Sequence, residues 1–376
     1  MADISATVIA TKVMQANLNH CAAAQDLLVA SAARWMVDLI VIAEPYSIPP
    51  SAVSSRCSSA VILAPSRLPG TSFERLAAGE GWAAARWGEL TVVSCYISPG
   101  HKRPVFERIL GAIRSFVAQC RTPKILVLGD FNSKSVDWGC PEDSVRGRIL
   151  RTWVEGSGLR VLNRGSEPTC VRAQGTSIVD VTFATPDVAA TVSGWRVMDE
   201  ETLSDHRYIA FDLRPPSSRV PPRHTHPSSS PRWALKRLDR DALRAAIAAA
   251  VWDPDADQDS CPDTESEAAA LRDVATNISD ACMPRTGAAP PNRRSVYWWS
   301  TEIEDLRNAC LRARHRYAEL RRPFQGGVAV GAGMSAETEM ALRAEYRDAR
   351  EALSGAIGKT KFRAWEEFIL TLDQDP

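Results

Sequence analysis

The chain has 376 residues, and its 45 Lys plus Arg balance 45 Asp plus Glu, so the formal net charge is zero. This length accommodates two or three domains and a real core without disulfide or metal staples. The balance rules out reading function from global charge, although a local basic groove on a neutral protein still binds phosphate.

The first 214 residues alternate strands and helices. Apolar, β-branched residues over 7–16 predict a strand that breaks at Asn17-Leu18-Asn19. Residues 21–36 carry Ala, Leu and Trp at helical spacing, and DLIVIA at 38–43 is a short buried-strand pattern ending at Glu44-Pro45. Further strands are predicted at 60–63, 83–87 and 89–97, the last stopping at Ser98-Pro99-Gly100. A helix over 103–120 puts Phe106, Ile109, Ile113, Phe116 and Val117 on one face. KILVLG at 124–129 is the clearest buried strand, and Asp130 follows its end. A helix at 145–156 and strands at 159–163, 178–184, 194–198 and 206–213 complete this half. Strands outnumber helices, which points to packed sheets flanked by helices.

Residues 215–232 are rich in Pro, Ser and Arg and lose apolar periodicity, as a linker does. Helical stretches are then predicted near 239–252, 265–283, 298–322, 335–357 and 360–372. Between 285 and 322, nine arginines face four acidic residues, and Tyr297, Trp298, Trp299 and Tyr317 lie among them. Such a mixture either binds nucleic acid or forms a solvated helix face with a Trp-anchored core. The nine cysteines contain no CxxC pair, which leaves zinc and thioredoxin-like sites unsupported and fits a reducing compartment. The N-terminus lacks the basic and long apolar regions of a secretory leader, and no run reaches the ~20 apolar residues of a membrane span. A soluble intracellular protein is the expectation.

Polar residues stand at the ends of several strands, where α/β folds build sites. Each has an ordinary explanation on its own. GDFN at 129–132 is also common turn chemistry. Asp180, inside SIVDVTF, is either a buried carboxylate that needs a partner or a solvent-facing strand residue. Asp205-His206 is a frequent dipeptide, and Glu44 merely precedes a proline. Their order is more telling: an Asn after the first strand, a Glu after the second, a Tyr in a central strand, GDFN, a strand Asp and a late Ser-Asp-His.

In that order, the phrases QANLNHCAAAQDLL, IAEPYSIP, SCYISPG, GDFNSKSVDWG, PTCVR, SIVDVTF and LSDHRYIAF resemble the endonuclease/exonuclease/phosphatase superfamily. That superfamily includes apurinic endonucleases and DNase I. The similarity is closer to the endonuclease domains of LINE-type (non-LTR) retrotransposons, of the insect type that inserts into ribosomal or telomeric DNA. It covers about residues 8–214. It implies an α+β chain: a DNase I-like four-layer sandwich of two mixed sheets flanked by helices, followed by an α-helical region. The expected organisation is an endonuclease domain over 1–214, a Pro/Ser-rich linker over 215–232, and a helical region over 233–376 that would precede a reverse transcriptase domain.

The resemblance also assigns roles. Asn17, Glu44 and Asp205 would hold a divalent metal, Mg²⁺ with Mn²⁺ as a substitute; hard cations of this kind prefer oxygen ligands. Asp130 would activate the attacking water and Asn132 would orient it. Asp180 would pair with His206, whose imidazolium would hold a phosphate oxygen. Asn17, Tyr96, Thr169 and Ser204 would sit along the phosphate. The implied activity is nicking of duplex DNA to leave a 3′-hydroxyl primer for target-primed reverse transcription, in the nucleus, with element RNA and the polymerase as further partners. An apurinic-site nuclease or phosphodiesterase, and a catalytically silent binder, are the alternatives. Two departures stand out. SAVSSRCSSAVIL is altered relative to the Trp- and Gly-containing segment of insect relatives, and no Tyr- or Phe-x-Asp-Asp polymerase motif occurs. The chain reads as a fragment or truncated copy of such an element.

Overall fold

The computed structural model describes residues 10–65, 72–172, 175–214, 296–319 and 336–372, with short pieces between 232 and 286. The chain forms two compact units, Met1–Ser217 with Arg294–Pro376, and Ser218–Arg293. In the second, Arg232–Trp233 pairs antiparallel with Arg285–Thr286. The linker expected over 215–232 and most of the helical stretches expected near 239–252 and 265–283 lie outside the described residues.

Two six-stranded mixed sheets build the first unit. One contains β1 (Thr11–Asn17), β2 (Leu39–Ala43), β3 (Val53–Ser54), β4 (Ala60–Leu63), β13 (Val192–Val197) and β14 (Ile209–Leu213), in the order β13-β14-β1-β2-β4-β3. The other contains β5 (Phe73–Gly79), β6 (Trp82–Trp87), β7 (Leu90–Tyr96), β8 (Ile125–Asp130), β9 (Arg160–Val161) and β12 (Asp180–Ala184), in the order β5-β6-β7-β8-β12-β9. A small hairpin pairs β10 (Cys170–Arg172) with β11 (Gly175–Ser177). The helices are α1 (Ala22–Trp35), α2 (Arg103–Gln119), α3 (Val145–Gly156), α4 (Pro186–Thr191), α5 (Thr301–Glu319) and α6 (Ala336–Leu372).

Alternation along the strands divides the apolar residues into three layers. Val13, Leu39, Val41, Leu126, Leu128, Ile209 and Phe211 interdigitate between the sheets. Val93, Val127, Val181 and Phe183 face outward against Phe106, Ile109 and Ile113 of α2 and Leu150 and Trp153 of α3. Met14, Ala16, Ile40, Ile42 and Tyr208 face the other way, against Leu27 and Leu28 of α1. The result is the expected four-layer sandwich with helices on both outer faces. β3, β5 and the β10–β11 hairpin escape sequence prediction because they are very short or, in β5, a partly exposed edge strand with a bulge between Arg75 and Ala77.

The helical layer over α1 does not end with α1. Trp298, Ile303 and Cys310 near and on α5, and Leu353 and Ile357 on α6, belong to the same buried cluster. Buried arginines seal the contact: Arg307 donates to Glu200 and the Glu201 carbonyl, both at 2.9 Å, and Arg314 donates to Asp199 at 2.8 Å. Two arginines of the Arg-rich window are therefore turned into the protein, and Trp298 is a core residue. The stretches expected as separate helices at 335–357 and 360–372 are one helix, α6. Gly355 and Gly358 sit inside it with nothing within 4 Å of an added Cβ, so neither marks a break. Among the described residues, no helix is long and apolar enough to cross a membrane.

Candidate active site

Strand direction gathers the candidate residues at one rim. β1 and β2 run parallel and end together, with Asn17 opposite Ala43, and the chain leaves β2 at Glu44. β7 and β8 also run parallel, with Tyr96 opposite Asp130. β12 is antiparallel to β8, so its first residue, Asp180, lies across from Asp130. His206 lies just before β14, which is antiparallel to β1. Asp130 is thus the last residue of its strand rather than the first after it.

Backbone conformation shapes this rim. Gly129 has φ +149°, and an added Cβ would fall 1.9 Å from the Cys95 carbonyl oxygen of the neighbouring strand. A glycine is therefore required where the chain presents Asp130. Glu44, Asn132 and Leu203 hold left-handed φ values of 47°, 46° and 55°. For Glu and Leu this conformation is strained, and such strain collects at functional sites.

Asn17 links two carboxylates. Its Nδ2 donates to Glu44 Oε2 at 3.1 Å and to Asp130 Oδ2 at 2.9 Å, while its Oδ1 accepts from the Asn19 amide at 2.9 Å. Asp130 also accepts from the Asn132 backbone amide at 2.8 Å and from Asn132 Nδ2 at 3.1 Å. Burial first, and then the charge of Asp180, push the Asp130 carboxyl up to about 7, partly offset by His206. Burial and the neighbouring Glu44 raise the Tyr96 phenol, so it is a neutral hydroxyl at physiological pH.

The second device is the His206–Asp180 pair, with Nδ1 and Oδ2 2.8 Å apart and both side chains buried. Burial opposes the imidazolium, but the charge and hydrogen bond of Asp180 outweigh it, and the His206 pKa stands well above its ordinary value. Nε2 is buried and without a hydrogen-bond partner among the described residues. Asp180 is therefore a buried, paired carboxylate and not a solvent-facing one.

The remaining predicted residues take other positions. Thr169 is buried, and its hydroxyl accepts from the Val179 and Asp180 amides at 3.2 Å, so it acts on the site by holding Asp180. The Ser204 hydroxyl donates to the Asn17 carbonyl at 2.8 Å and accepts from the His206 amide at 3.2 Å, bracing two loops. Asp205 faces two cations, 3.6 Å from Arg172 and 3.7 Å from Arg350.

Residues that local sequence did not single out complete the rim. Arg146 lies 4.2 Å over the Phe106 ring and donates to the carbonyls of Ile97, Ser98 and Phe131, clamping the loops after β7 and β8. His20 Nε2 lies 3.6 Å from Glu44 Oε1. Below the rim, Gln15 donates to the Gly129 carbonyl at 3.1 Å and accepts from the Thr182 hydroxyl at 3.1 Å, joining the sheets. The partners of Arg146 and Gln15 are distant in sequence, and no local pattern marks them.

The donor set suits a divalent cation. Asp130, Asp180 and His206 offer ligand atoms within 4.8 Å of one another. Nδ1 of His206 is engaged by Asp180, whereas Glu44 and Asp130 converge on one amide with oxygen donors only, the set a hard cation takes.

Residues 90–210, from β7 to the start of β14, match the family model described as endonuclease-reverse transcriptase. The match covers about a third of the chain, the part that supplies Tyr96, Asp130, Asn132, Asp180 and His206 to the rim. Solved structures are similar over about half of the chain. The endonuclease domain of TRAS1, a telomere-specific non-LTR retrotransposon, is 26% identical, covering 55% of this chain and 99% of that one, with a TM-score of 0.49. A 3′-5′ exonuclease from Neisseria meningitidis is 17% identical, covering 54% and 100%, with a TM-score of 0.44. An AP endonuclease from Archaeoglobus fulgidus is 14% identical, covering 54% and 99%, also at 0.44. No curated protein matches the chain.

Proposed function

We propose that the protein is a Mg²⁺-dependent endonuclease that nicks duplex DNA and leaves a 3′-hydroxyl for target-primed reverse transcription of a non-LTR retrotransposon. One observation carries this reading: the Glu44–Asn17–Asp130 cluster meets the buried His206–Asp180 pair at one strand-end rim. Glu44, with Asn17 and Asp205, would hold the metal. When bound, Mg²⁺ supplies positive charge to a phosphate whose transition state gains negative charge.

The protein's own groups do the rest. Asp130, with its carboxyl near neutrality, takes a proton from the attacking water while Asn132 holds its orientation. The water oxygen bonds to phosphorus, the bond to the 3′-oxygen breaks, and that oxygen leaves as an alkoxide that takes a proton from solvent to become the 3′-hydroxyl. The His206 imidazolium holds a non-bridging oxygen through Nε2, and the neutral Tyr96 hydroxyl donates beside it. Target DNA in the nucleus, element RNA and a reverse transcriptase domain follow from the same reading.

Supercoiled-plasmid nicking tests it. Relaxation is expected with Mg²⁺, and it is expected to stop with EDTA and to fall at least ~10²-fold in Asp130→Ala. Nicked ends should be extended by a polymerase without prior treatment. Cleavage confined to abasic duplex would instead support an apurinic-site nuclease. Binding without any nicking would support the silent binder.

A further inference from the structure

A cleft of about 1480 Å³ runs from the rim to the C-terminal helices. On one side stand Arg146, Arg172 and Arg207 of the sandwich; on the other stand Arg343, Arg347 and Arg350 of α6. Among its described lining residues, Asp205 is the single carboxylate, on the side of the catalytic rim.

The α6 wall is held in a fixed register. Leu353 and Ile357 are fully buried in the core shared with α1. The Tyr346 hydroxyl donates to Glu201 at 3.2 Å, Arg350 donates to the Leu203 carbonyl at 2.8 Å, and Lys361 bonds Asp26 at 2.7 Å. Leu203 and Asp205, which Arg350 bonds and faces, flank Ser204 in the Ser-Asp-His loop. Spacing of three and four residues places Arg343, Tyr346, Arg347 and Arg350 on one helix face. Over seven residues this face extends ~10 Å, on the order of three phosphate steps of one DNA strand. Arg343 and Arg347 are exposed. Arg347 pairs with the adjacent, exposed Asp348 at 3.0 Å, a pair of little worth in water.

We propose that α6 is the second wall of the substrate groove, and that Arg343 and Arg347 hold the phosphates of a DNA strand flanking the scissile bond. This rests on the nuclease reading above. It shifts the free cations of the nucleic-acid surface from the Arg-rich α5 to α6: Arg307 is buried against Glu200, and Arg314, although it lines the cleft, is paired with Asp199 and Glu201. A cation row on a rigid wall lowers the cost of ordering side chains on binding.

The test compares the full chain with Arg343→Glu/Arg347→Glu and Arg343→Lys/Arg347→Lys. Duplex affinity is measured by fluorescence anisotropy in EDTA across a salt series, so that turnover plays no part. The charge reversal is expected to weaken binding at least ~10-fold and to lower the slope of log affinity against log salt by about 2. The lysine variant is expected to keep the slope. Unchanged affinity and slope in the reversal, with circular dichroism like the wild type, would overturn the proposal. A wild-type preference for single-stranded RNA over duplex DNA, lost in the same reversal, would overturn the choice of DNA. Plasmid nicking by the wild type is a separate assay. Its absence sinks the nuclease reading, while the salt series still decides the groove.

Discussion

Asn17 shows how a single amide can organise a site. It separates two carboxylates that would otherwise repel, and both of its amide protons are used in doing so. Gln15, two residues earlier on the same strand, works in the interior rather than at the rim. It ties β1 to β8 and β12, and the Trp195 indole donates to the same Thr182 hydroxyl at 3.2 Å. Replacing Gln15 by Leu leaves the Thr182 hydroxyl and the Gly129 carbonyl buried without that partner. An orphaned buried polar group costs about 1–3 kcal/mol. Urea denaturation of Gln15→Leu should therefore show a loss of at least that order, with Asp130 less firmly placed. An unchanged midpoint would mean that the bridge contributes nothing.

At the scale of elements, α5 and α6 complete the layer over α1. Leu353 is fully buried there, between α6 and the sandwich. Leu353→Ala should destabilise the chain by about 2–5 kcal/mol through lost burial and the cavity left behind. Removal of α5 and α6 should expose the apolar cluster over α1 and reduce solubility, as seen by light scattering. Much of the sandwich was legible in the sequence because strand alternation and helical periodicity report the faces of individual elements. β5 was not, since it is a half-buried edge strand whose alternation is broken by the bulge between Arg75 and Ala77.

At the scale of the whole molecule, ion pairs fasten α5 to the segment before the Ser-Asp-His loop. Burial would raise the Asp199 carboxyl, but hydrogen bonds and charge from His315 and Arg314 outweigh it and hold it below the usual range. A depressed carboxyl stabilises the fold above its unfolded pKa of ~3.9, and that contribution disappears as pH falls through the folded value. The stability difference between wild type and Asp199→Asn should be present at about pH 5 and vanish in strong acid. A difference that grows on acidification would reverse the assignment.

The sequence by itself determined the strand ends, the helix faces and the ordered set of polar residues from Asn17 to His206. Each is a local matter of periodicity, or of a residue following a strand. Tertiary structure decided what those residues meet. It alone buried Arg307 and Arg314 in ion pairs with Glu200 and Glu201 while leaving Arg343 and Arg347 exposed at the cleft, set Asp205 between Arg172 and Arg350, and gave Thr169 to Asp180. Arg307 meets Glu200, and Arg350 meets the Ser-Asp-His loop, across more than 100 residues of chain. The burial and charge environment of such a side chain is set by the surface its helix docks against, and no window of sequence contains that surface.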